Sequence, residues 1–448
     1  MGLTFRGGIH PLHREAEGKA STSGIPIKEM TPPAIVRIPL AQNLGKPPVP
    51  CVNAGDRVRM GQKIADADGF MSVPLHSSVS GTVLGIEQIP GLSGKPETAI
   101  VIENDFTDEK DYMQPRDYRT MEPHEIVAAI QEGGIVGMGG AAFPTHVKLS
   151  VPPQKKVDLL IINGAECEPF LTADQRLMIE RPDVVLYGTQ VMMQALGVKR
   201  ALIGIEDNKP DAIAVMSRAA EKVRNIRVKA VQTKYPQGYE KTLIYALTGR
   251  KVPAGGLPMD AQVVVVNAAS AAAVADLFQN GEPSIQRITT VTGAVEQPCN
   301  ILLRIGTSIQ DAIHATGSYS ATPMKIISGG PMMGKILPTI ECPVTKSTSG
   351  ILTLDSHFTE LAKETKCIRC SRCLTVCPMF LEPVLLMDAT VADDFETAEG
   401  NHAMDCMSCG SCSYICPANR PLAQSIAFAK SKIQAKRLLE KQKKEAAE

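Results

Sequence analysis

The spacing of apolar residues changes period along the chain, and each change predicts a different kind of element. Over residues 35–104 the apolar positions come in short alternating runs, IVRIPL, SGTVLGI and TAIVIE, broken by proline and glycine. That pattern predicts short β-strands. From about residue 118 the rhythm becomes helical. PHEIVAAIQEGG predicts a helix stopped by Gly133 and Gly134, residues 157–163 (VDLLIIN) a buried strand, and a helix from about Asp183 ends at Gly197. Strand ALIGIE, a helix from Pro210 to about Val223 and strand RVKAVQ follow. Helices alternating with apolar strands predict a mostly parallel sheet covered on both faces, with ligands beyond the carboxyl ends of the strands. Residues 260–343 mix short strands (QVVVVN, RITTVTG, NILLRI) with an alanine-rich helix, which suits a small β-grasp fold. Residues 422–448 are helical by composition and end in dense Lys and Glu. Such a run is ordinarily a solvated, frayed helix; contact with a membrane surface or a partner is the alternative.

A chain of 448 residues exceeds a single core. The pattern divides it into a β unit (1–114), an α/β unit (115–259), a β-grasp unit (260–345), a cysteine-rich unit (346–430) and a charged helical tail (431–448). The first thirty residues read as an extended lead-in, with Arg6, Gly7, Gly8 and His10 in a polar turn. Within the β unit, NAGDRVRMGQKI (53–64) and VPLHSSVSGTVLGI (73–86) resemble the two halves of the barrel-sandwich fold of lipoyl and biotinyl carriers. Those carriers load their cofactor on a hairpin-tip lysine. The corresponding turn near Ala67, Asp68 and Gly69 has none, so the unit reads as a scaffold. GLSGKP (91–96) is too short for a phosphate loop and carries Pro96 where Ser or Thr belongs.

The strongest chemical signal is CIRCSRCLTVCP (Cys367, Cys370, Cys373, Cys377) with CMSCGSCSYICP (Cys406, Cys409, Cys412, Cys416). Both runs have the C-x2-C-x2-C-x3-C-P spacing of two-cluster ferredoxins, in which the fourth cysteine of each run ligates the other cluster. One [4Fe–4S] cluster is therefore expected on Cys367, Cys370, Cys373 and Cys416, and a second on Cys406, Cys409, Cys412 and Cys377. Zinc favours two separated C-x2-C pairs, and disulfide frameworks belong to small secreted chains. The other four cysteines, Cys51, Cys167, Cys299 and Cys342, are scattered as buried hydrophobes usually are. With no signal peptide expected, these thiols imply a reducing cytoplasm.

Charge adds little. Lys+Arg and Asp+Glu both number 47, which gives no support for bulk attraction to nucleic acid or an acidic membrane. No window reaches about 18 consecutive apolar residues, so no transmembrane helix is expected. Arg6 stands where a myristoylation signal needs Ser or Thr.

Two stretches of the α/β unit carry chemistry. GMGGAAFPTHVKL (137–149) offers a glycine-rich backbone that a phosphate or flat ring can approach. Its G-x-G-x-x-A is a weak dinucleotide signal, Pro144 is expected to spoil a helix directly after it, and a plain structural turn competes. NGAECEP (163–169) follows a strand end, a position that aims Glu166 and Glu168 at the ligand crevice; solvated loop carboxylates are the alternative. KYPQGYEKTLIYALTGRKVP (234–253) reads as a loop entering a short helix, and His146 as a structural histidine.

GGAAFPTHVKL resembles the GRGGAGFPTGLKW loop of the flavin-bearing, NADH-oxidising subunit of respiratory complex I. NGAECEP is similar to that subunit's NADESEP, and YPQGYEKTLIYALTG to its YICGEETALIESLEG. With barrel, flavin, β-grasp (SLBB-like) and ferredoxin parts in this order, the chain resembles the C subunits of Rnf complexes, membrane-bound ferredoxin:NAD oxidoreductases that move Na+ or H+. The resemblance implies FMN lined by Gly137, Gly139, Gly140 and Ala141, with Phe143 as an aromatic wall and Lys148 on the phosphate or ribityl region. Asn163 and Glu166 would hydrogen-bond the flavin or nicotinamide amide, with Glu168 close by, and Tyr235, Gly238 and Glu240 would border the nucleotide. Three positions depart from the complex I motifs: Ala165 for Asp, Cys167 for Ser and Tyr239 for Glu.

A nicotinamide exchanges an electron pair as hydride and a [4Fe–4S] cluster one electron. A flavin does both, so FMN is expected between NAD(H) and the clusters, with no catalytic acid or base required. The resemblance also implies membrane-embedded and ferredoxin-like Rnf subunits as partners and a peripheral place on the cytoplasmic face of the bacterial inner membrane. A microcompartment cobalamin reductase shares the parts but places the barrel after the ferredoxin region. A cluster-bearing adaptor that binds no nucleotide is the non-enzymatic alternative.

Overall fold

Residues 2–10, 18–359 and 363–445 are described by a computed structural model. Its central sheet has four parallel strands in the order Ile226–Val231, Ala201–Glu206, Leu159–Gly164, Val263–Asn267. Strands Leu159–Gly164 and Val263–Asn267 are apolar on both faces because both are covered, whereas the edge strand Ile226–Val231 exposes Arg227 and Lys229. Leu160, Ile162, Val264 and Val266 face a core shared with helices Pro123–Glu132, Pro182–Leu196, Pro210–Ala220 and Ala268–Asn280. Leu159, Ile161, Val263 and Val265 face helix Glu240–Thr248 on the other side.

This sheet corrects one expectation. Strand Val263–Asn267 and the alanine-rich helix Ala268–Asn280 do not join the β-grasp unit; the strand pairs in parallel with Leu159–Gly164 and completes the α/β sheet. Four successive buried valines need cover on both faces, which this sheet supplies. Pro144, expected to spoil a following helix, instead caps the short helix Thr145–Leu149, since proline's fixed φ and missing N–H are tolerated at a helix start.

The N-terminal barrel packs an antiparallel sheet (Ile35–Pro39, Pro96–Asn104, Gly81–Pro90, Arg57–Val58) with a three-stranded one (Val49–Pro50, Lys63–Asp66, Leu75–His76). Val36, Ile38, Val58, Ile64, Leu75, Val83, Ile100 and Ile102 fill it. Its turn after Asp66 touches the α/β unit: the His146 ring donates from Nε2 to the Phe70 carbonyl at 2.8 Å and meets the Phe70 ring edge-on. His146 is buried and serves as a strut between units.

The β-grasp sheet has six strands in the order Lys28–Glu29, Cys299–Arg304, Gln286–Gly293, Gly350–Leu354, Lys325–Ser328, Lys335–Ile336. It therefore recruits a strand from the lead-in and another beyond residue 345, both outside the expected boundaries. The earliest residues go elsewhere. Leu3 bridges in parallel to Val231, Ile9 bridges to Tyr235, and the Gly8 amide donates to the Val376 carbonyl at 2.7 Å. Residues 3–9 thus stitch the α/β sheet to the cysteine-rich unit.

That last unit is helical: Arg372–Val376, Pro383–Val391, Phe395–Gly400, Ser411–Tyr414 and Leu422–Glu445. Helix Leu422–Glu445 runs unbroken across the expected tail boundary and buries Ile426, Ala429 and Ile433 against Leu386 and Ala398. Residues 446–448 of the expected tail lie outside the described residues. Among the described residues no helix is long and apolar enough to cross a membrane.

Helices Pro182–Leu196 and Ala268–Asn280 cross where Gly188 meets Ala271; a Cβ at 188 would come within 1.8 Å of the Ala271 carbonyl oxygen. Gly188→Ala should therefore lower stability by about 1–3 kcal/mol through overpacking, read as a lower urea midpoint. An unchanged midpoint would mean that the helices part freely at this crossing.

Candidate redox site

The carboxyl ends of strands Leu159–Gly164 and Val263–Asn267 put Asn163 and Asn267 side by side in register. Around them stand three loops: the hairpin 136–144, the segment 163–172 and the segment 231–240. The hairpin is closed by a Val136–Pro144 bridge and by the Gly137 amide donating to the Phe143 carbonyl at 2.8 Å. Ser270 accepts from the Met138 amide at 2.9 Å, and buried Arg287 donates to the Met138 carbonyl at 2.7 Å. At the tip, Gly139, Gly140 and Ala141 are exposed, with φ +114° at Gly140 and free space where its Cβ would stand. The tip is a backbone shelf without bulky side chains, while Phe143 is half-buried behind it. Only glycine adopts such a φ comfortably.

Beneath the shelf, the Lys148 ammonium is held by an ion pair with Glu240 and donates to the Val265 carbonyl at 3.1 Å. Asn163 ties two loops together, donating from Nδ2 to the Gly238 carbonyl at 2.6 Å and accepting from the Ala165 amide at 3.2 Å. Gly238 permits that approach: a Cβ there would lie 3.2 Å from Cys167 Sγ and 3.4 Å from Ala165 Cβ.

The two loop carboxylates already have partners in the protein. Glu166, at φ +48°, accepts from the amides of Asp174 (2.7 Å) and Gln175 (3.1 Å) and caps helix Ala173–Glu180. Glu168 accepts from the amides of Met332 (3.0 Å) and Met333 (2.9 Å), clasping a β-grasp loop. Removal from water pushes the Glu168 carboxyl up to about 7 against those two amides, and Asp174 up to about 6, with Glu166 adding to the effect.

Tyr235, expected at the nucleotide border, is buried against the cysteine-rich unit. Its ring is 1% exposed, and its hydroxyl donates to the Cys409 carbonyl at 2.8 Å. Ile9, Val376 and Met407 pack around it. A buried phenol needs an acceptor, and the cysteine-rich unit provides one, so Tyr235 marks the seam between the two units.

Beyond the seam, Cys377, Cys406, Cys409 and Cys412 line one small apolar pocket, walled by Met379, Leu381, Met407 and Ile426. Burial pushes the Cys412 thiol up to about 12, and the charges of Cys409, Cys406 and Cys377 add to it. Burial also raises Cys373, which feels Cys416 and Cys367. The second group lies outward, with Cys370 exposed. Among the described residues no His, Cys, Asp or Glu set closes on a single-ion point. The thiols instead wall a volume, which fits a polynuclear cluster with shared thiolate ligands. The shelf, the Lys148 cation and the fully buried Gln237 amide, whose Nε2 and Oε1 lack partners among the described residues, fit a flat anionic cofactor with polar edges.

Sequence reasoning missed Asn267, Asp174, Ser270, Arg287 and Gln237. Asn267 had a readable signal, since VVVVNAA repeats the strand–Asn–small pattern of LLIINGA. Asn267 caps its helix through the Ala269 amide and donates to Asp174 at 2.7 Å. The other four are recognisable only in three dimensions.

Comparison with known proteins places each unit. Residues 3–107 match the RnfC barrel sandwich hybrid domain, 130–276 the Nuo51 FMN-binding domain, 288–335 the SLBB domain and 360–417 a 4Fe-4S dicluster domain. The chain is 46% identical over 432 residues to the C subunit of the proton-translocating ferredoxin:NAD(+) oxidoreductase complex of Clostridium ljungdahlii, covering 96% of this chain and 93% of that one. It is 45% identical to the Na(+)-translocating counterpart of Acetobacterium woodii, covering 97% and 98%. The C subunit of the ion-translocating oxidoreductase complex of Rhodobacter capsulatus is 42% identical, with coverage of 96% and 83%. A chain of the NAD+-reducing [NiFe]-hydrogenase in its H2-reduced state shares the fold at TM-score 0.50 and 19% identity, over 72% of this chain and 63% of that one.

Two outcomes follow from this geometry. Tyr235→Phe leaves the Cys409 carbonyl without its donor and should cost about 1–3 kcal/mol, seen as earlier iron release in denaturant; iron release at the wild-type midpoint would deny the bond its role. Glu168, raised from 4.5 to about 7, makes the folded state bind more protons, so its contribution to stability is full below pH 4.5 and is lost as pH rises through about 7. Glu168→Gln should flatten the fall in stability over that window; an unaltered slope would assign it to other groups.

Proposed function

The chain belongs to the C-subunit family of the Rnf complexes, and from that premise we propose how its residues share the exchange of electrons between NAD(H) and iron–sulfur centres. The observation that carries the reading is a chain of contacts between a bare glycine shelf and a thiol-lined pocket: Gly139 stands by Asn267, Asn267 pairs in register with Asn163, Asn163 bonds Gly238, and Tyr235 of that same loop bonds Cys409. Residues 137–141 would carry FMN, with Phe143 as its wall. Lys148 would take the phosphate or ribityl oxygens in partial exchange for Glu240. Asn163 keeps one N–H beyond its bond to Gly238 and could reach a ring carbonyl or a carboxamide.

Glu166 and Glu168, whose oxygens already accept backbone amides, would act by shaping the 163–169 loop and setting its negative field. Tyr235 and Gly238 would fix the spacing of the loops. When bound, FMN accepts hydride from the nicotinamide and passes electrons on singly; the protein supplies orientation and electrostatics. Cys377, Cys406, Cys409 and Cys412 would hold the cluster nearer the flavin, and Cys367, Cys370, Cys373 and Cys416 the outer one. The chain would sit peripherally on the cytoplasmic side of its membrane complex and couple ferredoxin and NAD redox chemistry to the ion movement of its partner subunits. The relatives named above favour this reading over the cobalamin-reductase and adaptor alternatives.

Anaerobically prepared protein should contain about eight irons and one FMN per chain, and NADH should bleach the flavin. Protein that retains FMN yet stays oxidised under excess NADH would defeat the reading. Lys148→Met should raise the FMN dissociation constant by about tenfold, the size of one charge-assisted bond, measured by fluorescence on reconstitution.

A further inference from the structure

We propose that Arg287, a residue of the β-grasp unit, is a buried cation behind the glycine shelf that positions the shelf and makes a flavin bound there easier to reduce. Strand Gln286–Gly293 carries Arg287 into the interior, where it is 3% exposed. Its guanidinium donates from Nε to the Thr348 carbonyl at 2.7 Å, from Nη1 to the Lys346 carbonyl at 2.8 Å and from Nη2 to the Met138 carbonyl at 2.7 Å. Met138 immediately precedes Gly139, and its amide donates to Ser270 at 2.9 Å. The root of the shelf is thus gripped twice, once from the α/β unit and once from the β-grasp unit.

Holding a carbonyl needs no charge, and a neutral donor would do it at a smaller desolvation cost. Among the described residues the hydrogen bonds of Arg287 all go to carbonyls, and no carboxylate lies within ion-pair distance of it. Burial lowers it only to about 10, with Asp174 and Glu166 pulling the other way, so it stays charged across the physiological range. Asp174 in turn accepts from Asn267 at 2.7 Å, and Asn267 stands 3.6 Å from where a Gly139 Cβ would lie. A fixed cation and a carboxylate therefore both connect to the shelf through one bonded neighbour each. Reducing a flavin adds negative charge to its ring, and charges held in a water-poor site favour or oppose that change without rearranging. Arg287 favours the reduced form and Asp174 the oxidised one, which gives the β-grasp unit a share in setting the flavin potential.

This role rests on the proposed FMN site, and its test can fail separately from that reading. The measurement is an anaerobic redox titration of the full-length holoprotein, with the flavin read by difference absorbance, beside the FMN dissociation constant read by fluorescence. Arg287→Gln keeps a donor and drops the charge. It should weaken reduced FMN about tenfold more than oxidised FMN, which lowers the midpoint by about 30 mV for a two-electron couple. Arg287→Lys keeps the charge and loses the three-way grip, so both redox forms should bind more weakly while the midpoint holds. Asp174→Asn, which keeps an oxygen for Asn267, should raise the midpoint.

A midpoint unmoved in both Arg287→Gln and Asp174→Asn would overturn the proposal and leave Arg287 a structural clamp. So would an equal fall in Arg287→Lys and Arg287→Gln, which would trace the shift to lost grip instead of lost charge. Should Arg287→Gln fail to fold, the midpoint of Asp174→Asn decides alone. A flavin that follows the expected order of midpoints yet is not bleached by NADH would sink the NADH reading and leave the role of Arg287 standing.

Discussion

The hydroxyl of Tyr235 donates to the carbonyl of Cys409 inside a seam of Ile9, Val376 and Met407. The loop at residues 231–240 is fixed there against the thiol-lined pocket. A phenol taken out of water must find an acceptor, and a carbonyl likewise a donor. Sliding the two units past each other would orphan both groups at once. The seam therefore has one good register, and the sites on either side inherit it.

The loop at residues 163–172 is held with similar economy. Buried Lys19 donates to the carbonyls of Glu166 (2.9 Å) and Leu171 (2.5 Å), and buried Lys209 to that of Ala165 (2.8 Å) while paired with Glu206. Burial lowers Lys19 to about 8, a sign of how little water reaches this network. Polar groups fixed in such surroundings need little rearrangement when charge shifts nearby, which is how a protein environment assists redox chemistry without an acid or base of its own.

Much of this architecture was legible from period and spacing. The inner parallel strands announced themselves as apolar runs, and the cysteine spacing implied its own chemistry. The misplacement of Val263–Asn267 shows where such reading stops. A strand buried on both faces looks the same in sequence whichever sheet takes it, and only its pairing with Leu159–Gly164 decides. The carboxylates were legible as residues but not as partners. Spacing put Glu166 and Glu168 beyond a strand end; Glu166 turns back onto the amides of the helix that follows it, Asp174 and Gln175, while Glu168 accepts from Met332 and Met333, brought in from the β-grasp unit. Tyr235 was singled out because its loop resembles a nucleotide-binding one. Its neighbour across the seam lies 174 residues away in the chain, beyond the reach of any local pattern.

The stitch formed by residues 3–9 bears on how the molecule is made. Leu3 and Ile9 lie along the edge of the α/β sheet, yet the Gly8 amide answers to Val376. During synthesis that amide has no mate until the last quarter of the polypeptide has emerged. Contacts between such distant segments form late because a long loop must close first. The early segment thus waits, loosely paired, until the cysteine-rich unit arrives, and that arrival draws the two ends of the chain together.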